Sequence, residues 1–177
     1  TPDLRDALNL AATRIRAYHA AQLPEDRDYR DDMGARLGAR WNAVDAAGVY
    51  VPGGRAAYPS SVLMNILPAK VAGVERIVMM TPTPDGEVNP VVMAAAHIGG
   101  VDEIWRVGGA QAIAALAYGT DKIAPVDVVT GPGNAWVAEA KRQLYGVVGI
   151  VMVAGPSEIV VGADNQEEPH AISAALL

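Results

Sequence analysis

Hydrophobic residues recur at intervals of three and four along the first twenty residues of the chain. Six apolar side chains form one stripe: Leu4, Ala7, Leu8, Ala11, Ile15 and Tyr18. Asp3 lies near the first turn, where a short acidic side chain favours the start of a helix. The pattern predicts an amphipathic helix over residues 3–20, whose apolar stripe needs a partner surface.

The pattern changes over the next thirty residues. Residues 22–32 are rich in charge, poor in apolar side chains and interrupted by Pro24, so we predict a solvated connector. Residues 36–44 alternate large side chains with small or polar ones. This alternation predicts a half-exposed strand that pairs antiparallel with a strand at residues 48–51 and forms a sheet edge.

Helical and strand-like segments alternate from residue 60 onward. Helices are predicted at residues 60–72, 89–98, 110–118 and 134–145. Strands are predicted at residues 76–80, 103–107, 126–130, 147–153 and 158–161, with a turn at residues 82–86. The strands lack a clean period of two, which is typical of a parallel sheet covered by helices on both faces. The order predicts an α/β fold: a Rossmann-like, doubly wound, mainly parallel sheet preceded by the amphipathic helix.

Three parts of the chain are expected from this order. Residues 1–33 form the N-terminal helix and acidic connector, residues 34–165 the Rossmann-like domain, and residues 166–177 the start of a connecting helix. The last nine residues have a helical pattern that stops at Leu177, and the first residue is Thr1, not Met. We therefore expect the natural chain to extend beyond both ends.

Composition narrows the possible partners and chemistry. Lys and Arg number 14 and Asp and Glu number 20, a formal charge of −6 without a basic cluster, which argues against nucleic acid as a partner. No apolar run approaches the about 18 residues that a membrane helix needs, and no charged-then-apolar leader opens the chain. A cytoplasmic protein without a membrane segment is therefore expected. The absence of cysteine excludes disulfides, thiolate catalysis and cysteine-ligated zinc.

Glycine-bearing turns follow four of the β-branched runs. They lie at residues 50–54, 108–111, 131–134 and 154–157. The strand-to-helix turns of a parallel sheet emerge at one edge, where helix N-termini offer N–H groups and partial positive charge to an anion. The four turns therefore predict one crevice for a phosphate-bearing cofactor.

Each turn taken alone also has a plain structural interpretation. Asn134 either caps the helix that it opens or binds a ligand, and Gln111 either uses its amide in recognition or stays solvated. Neither turn matches the Gly-x-Gly-x-x-Gly fingerprint, and no acidic residue lies at the distance that holds a ribose. Any NAD would thus bind by a different motif from that of an ordinary dinucleotide fold.

Candidate metal ligands and nucleophiles are few. His19, His97 and His170 are far apart and lack the helical spacing of paired ligands, so a metal-binding role is not favoured for them. Ser157 follows Ala-Gly-Pro without a Gly-x-Ser-x-Gly elbow, which favours a hydrogen-bonding or turn role over a nucleophilic one.

Taken in order, these motifs resemble those of the histidinol dehydrogenase family over nearly the whole chain. The stretches that carry the resemblance are residues 48–54, 68–74, 107–119, 131–134 with 139–142, and 154–158. The resemblance implies an enzyme that oxidises L-histidinol through the aldehyde to L-histidine, uses two NAD molecules in succession, holds its substrate on zinc and forms a homodimer.

The resemblance also assigns residues one by one. Tyr50, Gln111 and Asn134 match the positions that contact NAD in the family, and Ser157 matches a position that contacts the substrate. The family's zinc ligands and its Glu-His bases match no residue here, since they are expected beyond Leu177. No catalytic residue or metal ligand is therefore assigned in this chain, which is expected to be inactive alone. Val151 stands where the family commonly has Asp, so a carboxylate near the Ser157 turn is lost.

Three other interpretations remain open. A related zinc- and NAD-using alcohol dehydrogenase, such as sulfopropanediol dehydrogenase, has similar motifs, although Ser157 and the sequence Val-Gly-Gly-Ala-Gln at residues 107–111 favour histidinol as the substrate. A non-catalytic nucleotide-binding module or scaffold would keep the crevice without the chemistry. In a structural interpretation, the N-terminal helix packs its apolar stripe on another copy of the chain.

Overall fold

A computed structural model describes residues 1–53 and 58–152 of the chain. The helices are α1 Pro2–Ala20, α2 Pro59–Ala72, α3 Pro90–Gly99, α4 Gly109–Tyr118 and α5 Ala135–Leu144. The strands are β1 Arg27–Arg30, β2 Arg36–Ala39, β3 Ala46–Tyr50, β4 Arg76–Met80, β5 Glu103–Trp105, β6 Val128–Thr130 and β7 Gly149–Ile150. A short 3-10 turn lies at Pro84–Gly86.

Five of the strands form one sheet in the order β5-β4-β3-β6-β7, and every pair in it is parallel. In the central strand β3, Gly48 lies between Val78 of β4 and Val129 of β6. The chain runs from β3 outward to β5, returns to β6 on the other side of β3, and continues to β7. The predicted Rossmann-like fold is confirmed, and its topological switch point lies between β3 and β6.

Helices cover the two faces of this sheet with separate hydrophobic clusters. Helices α1, α2 and α3 pack over one face, into which Val49 and Met79 project. Helices α4 and α5 pack over the other face, where Tyr50 and Met80 lie. Successive residues of a strand point to opposite faces, so adjacent residues of β3 and β4 belong to different clusters. This burial on both faces explains the continuous apolar strands.

Helix α1 finds its partner surface within the chain. Leu8 of its stripe is buried against α2 and α3, as is the neighbouring Ala12, and Ala11 and Ile15 of the stripe pack partly against the same cluster. The Arg16 guanidinium also donates to the Ile98 carbonyl oxygen at 3.2 Å, which links α1 to the end of α3. The interpretation in which the stripe packs on another copy is therefore wrong for Leu8, and it stays a prediction for Leu4, Ala7 and Tyr18, which are exposed.

The predictions for residues 22–44 are confirmed only in part: residues 22–32 are exposed and residues 36–39 form a strand in an antiparallel pair, but the predicted partner strand is wrong. Strand β2 pairs antiparallel with β1, with Arg27 opposite Ala39, so β1 occupies part of the expected connector. The expected partner of residues 36–44 is β3, but β3 is bonded in parallel on both sides by β4 and β6. All five residues of β3 are buried, as a central strand requires, and β3 has no free edge to offer.

Charged side chains close the β1–β2 hairpin. The Arg36 guanidinium donates to the Asp28 carboxylate across the two strands, with Nε at 2.8 Å from Oδ1. The Asp31 carboxylate accepts from the backbone N–H groups of Met33 and Ala35 in the turn. The acidic pattern that indicated a solvated connector thus supplies the turn and the cross-strand pair of an exposed hairpin.

The other predicted elements within the described residues are confirmed: the helix ends lie within one residue of the prediction, whereas β5, β6 and β7 are shorter than predicted. Strand β6 begins at Val128 because the Val126 N–H donates to the Leu116 carbonyl oxygen of α4, at 2.9 Å, outside the sheet. Strand β7 is limited to Gly149–Ile150. The strand predicted at residues 158–161 lies outside the described residues. Among the described helices, none is both long enough and apolar enough to cross a membrane.

Candidate functional site

The turns that follow the parallel strands meet at one edge of the sheet. The turn after β4 lies in the middle, and Pro82 in it contacts both neighbours. A side chain added at Gly53, after β3, would overlap the Pro82 carbonyl oxygen, and one added at Gly108, after β5, would overlap the Pro82 ring. The sequence prediction that these glycine turns share one edge is confirmed for the turns after β3 and β5.

The β6–α5 turn, residues 131–134, lies against the end of β3. Gly131 has a φ of +101°, and a Cβ on it would overlap the carbonyl oxygen of Tyr50. Only glycine fits this backbone conformation and this approach without strain. The contact places the turn at the switch point between β3 and β6, where open α/β sheets bind their ligands.

Tyr50 joins the end of β3 to the start of α4. Its side chain is buried, at 3% exposure, and its hydroxyl oxygen accepts a hydrogen bond from the Gly109 N–H at 3.1 Å. Helix α4 has Gly108 at its N-cap and therefore no capping side chain of its own. The Tyr50 hydroxyl satisfies one of the N–H groups that every helix leaves unpaired in its first turn.

Gln111 lies in the first turn of α4, beside the contact that Tyr50 makes. Its side chain is exposed, and its carbonyl oxygen Oε1 lies 2.9 Å from the position that a Cβ on Gly109 would take. An exposed amide next to a helix N-terminus can donate to and accept from a ligand in the crevice. The structure thus brings Gln111 to the same edge as Tyr50.

Asn134 caps helix α5. Its side-chain carbonyl oxygen accepts from the Val137 N–H at 3.1 Å, so the structural interpretation of this residue is correct. The cap uses the oxygen alone, and the amide nitrogen forms no hydrogen bond within residues 1–53 and 58–152. Capping and ligand binding are therefore compatible in one side chain.

Lys141 is a functional candidate to which no role was assigned from the sequence, although it lies in the motif at residues 139–142. It is buried, at 4% exposure, and its ammonium donates to the carbonyl oxygen of Gly131. Burial lowers its pKa, because a charged ammonium loses hydration in the interior. The available signal was its spacing: Lys141 lies four residues after the apolar Val137, on the same face of α5.

A cavity of about 580 Å³ opens at the same edge, beyond β3 and β4. Its lining includes Gly53, Thr81, Asp85 and the helix cap Asn89. The turn predicted at residues 82–86 forms much of its wall, although no sequence motif indicated a functional role for that turn. The cavity provides room for a ligand that extends from the glycine turns towards α3.

Acidic residues at the opposite edge, where the strands begin, form ion pairs. The Arg76 guanidinium donates to the Glu103 carboxylate at 2.7 Å and also to the carbonyl oxygens of Ala124 and Pro125. The hydrogen bond from Arg76, followed by one from the Trp105 indole, lowers the pKa of Glu103. These groups join β4, β5 and the loop before β6, so we assign them to stability and not to ligand binding.

The substrate-contacting residue implied by the resemblance cannot be placed. Ser157, and with it the fourth glycine turn, lies outside the described residues. Val151 is described: it is exposed, and its N–H donates to the Val129 carbonyl oxygen at 3.3 Å.

The described residues do not fit a zinc site. No group of three or more His, Asp or Glu side chains in residues 1–53 and 58–152 could hold a metal ion. His19 stacks edge-on with Tyr18 at the end of α1, and His97 is exposed in the last turn of α3. His170 lies outside the described residues.

Comparison with known proteins gives a consistent result. The family model described as histidinol dehydrogenase matches residues 1–177. The chain is 71% identical to histidinol dehydrogenase from Zymomonas mobilis over 175 residues, which cover 99% of the chain and 41% of that protein. It is 68% identical to histidinol dehydrogenase from Ruegeria pomeroyi, covering 98% of the chain and 40% of the relative.

A solved structure gives the same match at the level of the fold. The crystal structure of histidinol dehydrogenase from Elizabethkingia anophelis aligns with a TM-score of 0.88 at 35% identity, over 99% of this chain and 41% of that one. The chain therefore spans about 41% of the length of the relatives that it matches.

Proposed function

The chain belongs to the histidinol dehydrogenase family, and on this premise we propose that it forms the NAD-binding part of an enzyme that oxidises L-histidinol through histidinal to L-histidine. Tyr50, Gln111 and Asn134 are the proposed NAD contacts. Ser157 is the proposed contact to the substrate. The whole reaction is proposed for the natural protein, and not for these 177 residues alone.

The observation that carries the NAD assignment is the meeting of three proposed contacts at one edge of the sheet. Tyr50 ends β3, Gln111 lies in the first turn of α4, and Asn134 caps α5. The N-termini of α4 and α5 supply N–H groups and partial positive charge, which favour a pyrophosphate. Glycine at position 131 lets the turn lie directly against the end of β3, which keeps Tyr50 and Asn134 at the same edge.

The chain's own residues would bind and orient the cofactor in this scheme. NAD, when bound, accepts the hydride from the substrate carbon. Since the described residues do not fit a zinc site, we derive no step through zinc, and we propose that its ligands lie in the part of the family's sequence that this chain does not span. The homodimer and the cytoplasmic location expected from the sequence likewise remain proposals.

The test is NADH formation by the natural protein with L-histidinol and NAD. Absorbance at the NADH band should rise with histidinol and NAD together and with neither alone. Gln111→Ala should raise the KM for NAD about tenfold, the effect of losing roughly 1.4 kcal/mol of binding. Gln143→Ala is the matched control, because this exposed glutamine of α5 bonds only Glu139 within the described part of the chain.

Two further measurements separate the alternatives. Sulfopropanediol as the substrate tests the related alcohol dehydrogenase, and a higher kcat/KM on it than on histidinol would overturn the proposed substrate. Calorimetric titration of the 177-residue chain with NAD tests a self-sufficient module. Saturable NAD binding by a natural protein that forms no NADH from either alcohol would favour the non-catalytic scaffold.

A further inference from the structure

Helix α5 holds a buried cation at the candidate crevice. Two residues of α5 are buried, Val137 and Lys141. Burying an ammonium costs free energy unless hydrogen bonds replace its hydration. Among the described residues, Lys141 bonds the carbonyl oxygen of Gly131 and forms no ion pair with a carboxylate. A methionine would fill a similar space without the desolvation cost, so packing alone does not account for a lysine here.

The two buried residues of α5 both contact the β6–α5 turn. Val137 packs against Gly133, closely enough that a side chain on Gly133 would overlap it. Lys141 lies one helical turn further along the same face and bonds Gly131. With Asn134 capping the helix, α5 therefore contacts three of the four residues in the turn.

The bond to Gly131 fixes the orientation of the next peptide group in the turn. The Gly131 carbonyl and the Pro132 nitrogen share one peptide plane. A partner that holds the carbonyl oxygen therefore sets the plane from which Pro132, Gly133 and Asn134 continue. On its other side, Gly131 is pressed against the Tyr50 carbonyl oxygen.

We infer that Lys141 is a positioning residue for the cofactor: through the Gly131 carbonyl, it holds residues 131–134 in the shape that admits NAD. This inference rests on the proposed function. A turn that is already ordered binds a ligand more tightly, since less conformational entropy is lost on binding. Lys141 acts through Gly131 and does not itself contact the reacting atoms.

The test compares Lys141→Met with Lys141→Arg in the natural protein. Lys141→Met keeps the length and apolar stem but removes every donor, and should raise both the Kd for NAD, by calorimetry, and the KM for NAD about tenfold. The KM for histidinol and the kcat at saturating NAD should stay within twofold of wild type, whereas a general loss of structure would lower kcat as well. Lys141→Arg retains donors and charge and should recover the Kd to within threefold. Lys122→Met, at an exposed position, is the control and should change nothing.

The outcomes separate this inference from the proposed function. A folded Lys141→Met protein with a wild-type Kd for NAD overturns the role of Lys141 and leaves the proposed function standing. Lys141→Arg that is as impaired as Lys141→Met also overturns it. If Lys141→Met does not fold, Lys141→Gln replaces it. This variant is neutral but can still donate a hydrogen bond, so the Kd for NAD should rise about threefold to tenfold, and a smaller rise overturns the role of Lys141. Failure of the wild-type protein to bind NAD overturns both proposals.

Discussion

The hydroxyl oxygen of Tyr50 lies 3.1 Å from the backbone nitrogen of Gly109 and accepts its hydrogen bond. The two residues are 59 positions apart in sequence, one at the end of β3 and the other at the start of α4. The contact gives α4 the N-terminal partner that Gly108 cannot supply. In this respect Tyr50 does for α4 what Asn134 does for α5, but from a different strand.

Tyr50→Phe should therefore destabilise the chain without emptying its core. The ring would still fill its buried position, while the Gly109 N–H would lose its partner in a half-buried place. Leaving such a donor unsatisfied costs about 1–3 kcal/mol. Urea unfolding should show that the free energy of unfolding of Tyr50→Phe is lower than that of wild type by an amount in this range. Tyr118→Phe, at an exposed position on α4, should have a free energy of unfolding within about 0.5 kcal/mol of wild type. Equal effects in both variants would contradict the prediction.

Gly131→Ala should have a larger effect than its backbone conformation alone explains. The φ of +101° strains any other residue, and the new methyl group would also overlap the Tyr50 carbonyl oxygen. Gly146→Ala is the matched control, since Gly146 has a φ of +94° and open space around it. We expect Gly146→Ala to lower the free energy of unfolding by about 1 kcal/mol. Gly131→Ala should lower it clearly more, or should fail to fold. Similar midpoints of thermal unfolding for both variants would show that the contact with Tyr50 matters little.

Glu103 should make stability depend on pH. Its folded-state pKa is lowered, chiefly by the hydrogen bond from Arg76, so its contribution is present above the unfolded value near 4.5 and is lost as pH falls through the lower folded value. At pH 7 Glu103→Gln should be less stable than wild type by up to about 1 kcal/mol, because a side chain that is 34% exposed is screened by solvent. The difference should shrink below pH 4.5.

Chemical unfolding of wild type and Glu103→Gln at several pH values between 3 and 7 measures this difference directly. Glu25→Gln, at an exposed position before β1, should show none. A gap between wild type and Glu103→Gln that widens as pH falls would have the wrong sign and would exclude the ion pair as its cause.

Much of the fold could be predicted from the sequence because buried parallel strands and capped helices have local signals. Strand β4 matches its predicted bounds, and Asn89 and Asn134 cap helices where capping residues are expected. The pairing of β1 could not be predicted in the same way. Strand β2 was expected to pair with β3, and whether β3 has a free edge is decided by β4 and β6, which lie about 30 and 80 residues further along the chain.

The candidate site shows the same division. Glycines that follow strands are visible in the sequence, and their common edge follows from the parallel topology. The contacts that join them are not visible, because Pro82 wedged between two turns and the Tyr50 hydroxyl on Gly109 depend on the order of strands in the sheet. No role was predicted for Lys141 because a lysine is ordinarily solvated, whereas its burial and its bond to Gly131 depend on how α5 packs.

Asn134 allows capping and cofactor binding to be separated. Asn134→Ala removes the acceptor for the Val137 N–H and should lower stability by about 1 kcal/mol, as loss of a helix cap does. Asn134→Asp keeps an acceptor at the helix N-terminus, where negative charge is favourable, so its stability should equal or exceed that of wild type. It lacks the amide donor, however, and it places a carboxylate where the pyrophosphate is proposed to lie.

Asn134→Ala and Asn134→Asp should therefore rank differently in stability and in NAD affinity. Asn134→Asp should be the more stable protein and yet bind NAD at least as weakly as Asn134→Ala. Its Kd for NAD should rise about tenfold or more, which corresponds to a loss of roughly 1.4 kcal/mol of binding free energy. Thr120→Ala, in the loop before β6 at the opposite edge of the sheet, removes a side-chain acceptor for two backbone N–H groups and should lower stability alone. If Asn134→Asp binds NAD like wild type, the side chain only caps α5, and the NAD assignment would rest on Tyr50 and Gln111. Stability and NAD affinity that fall together in both variants would mean that the cap itself carries the effect.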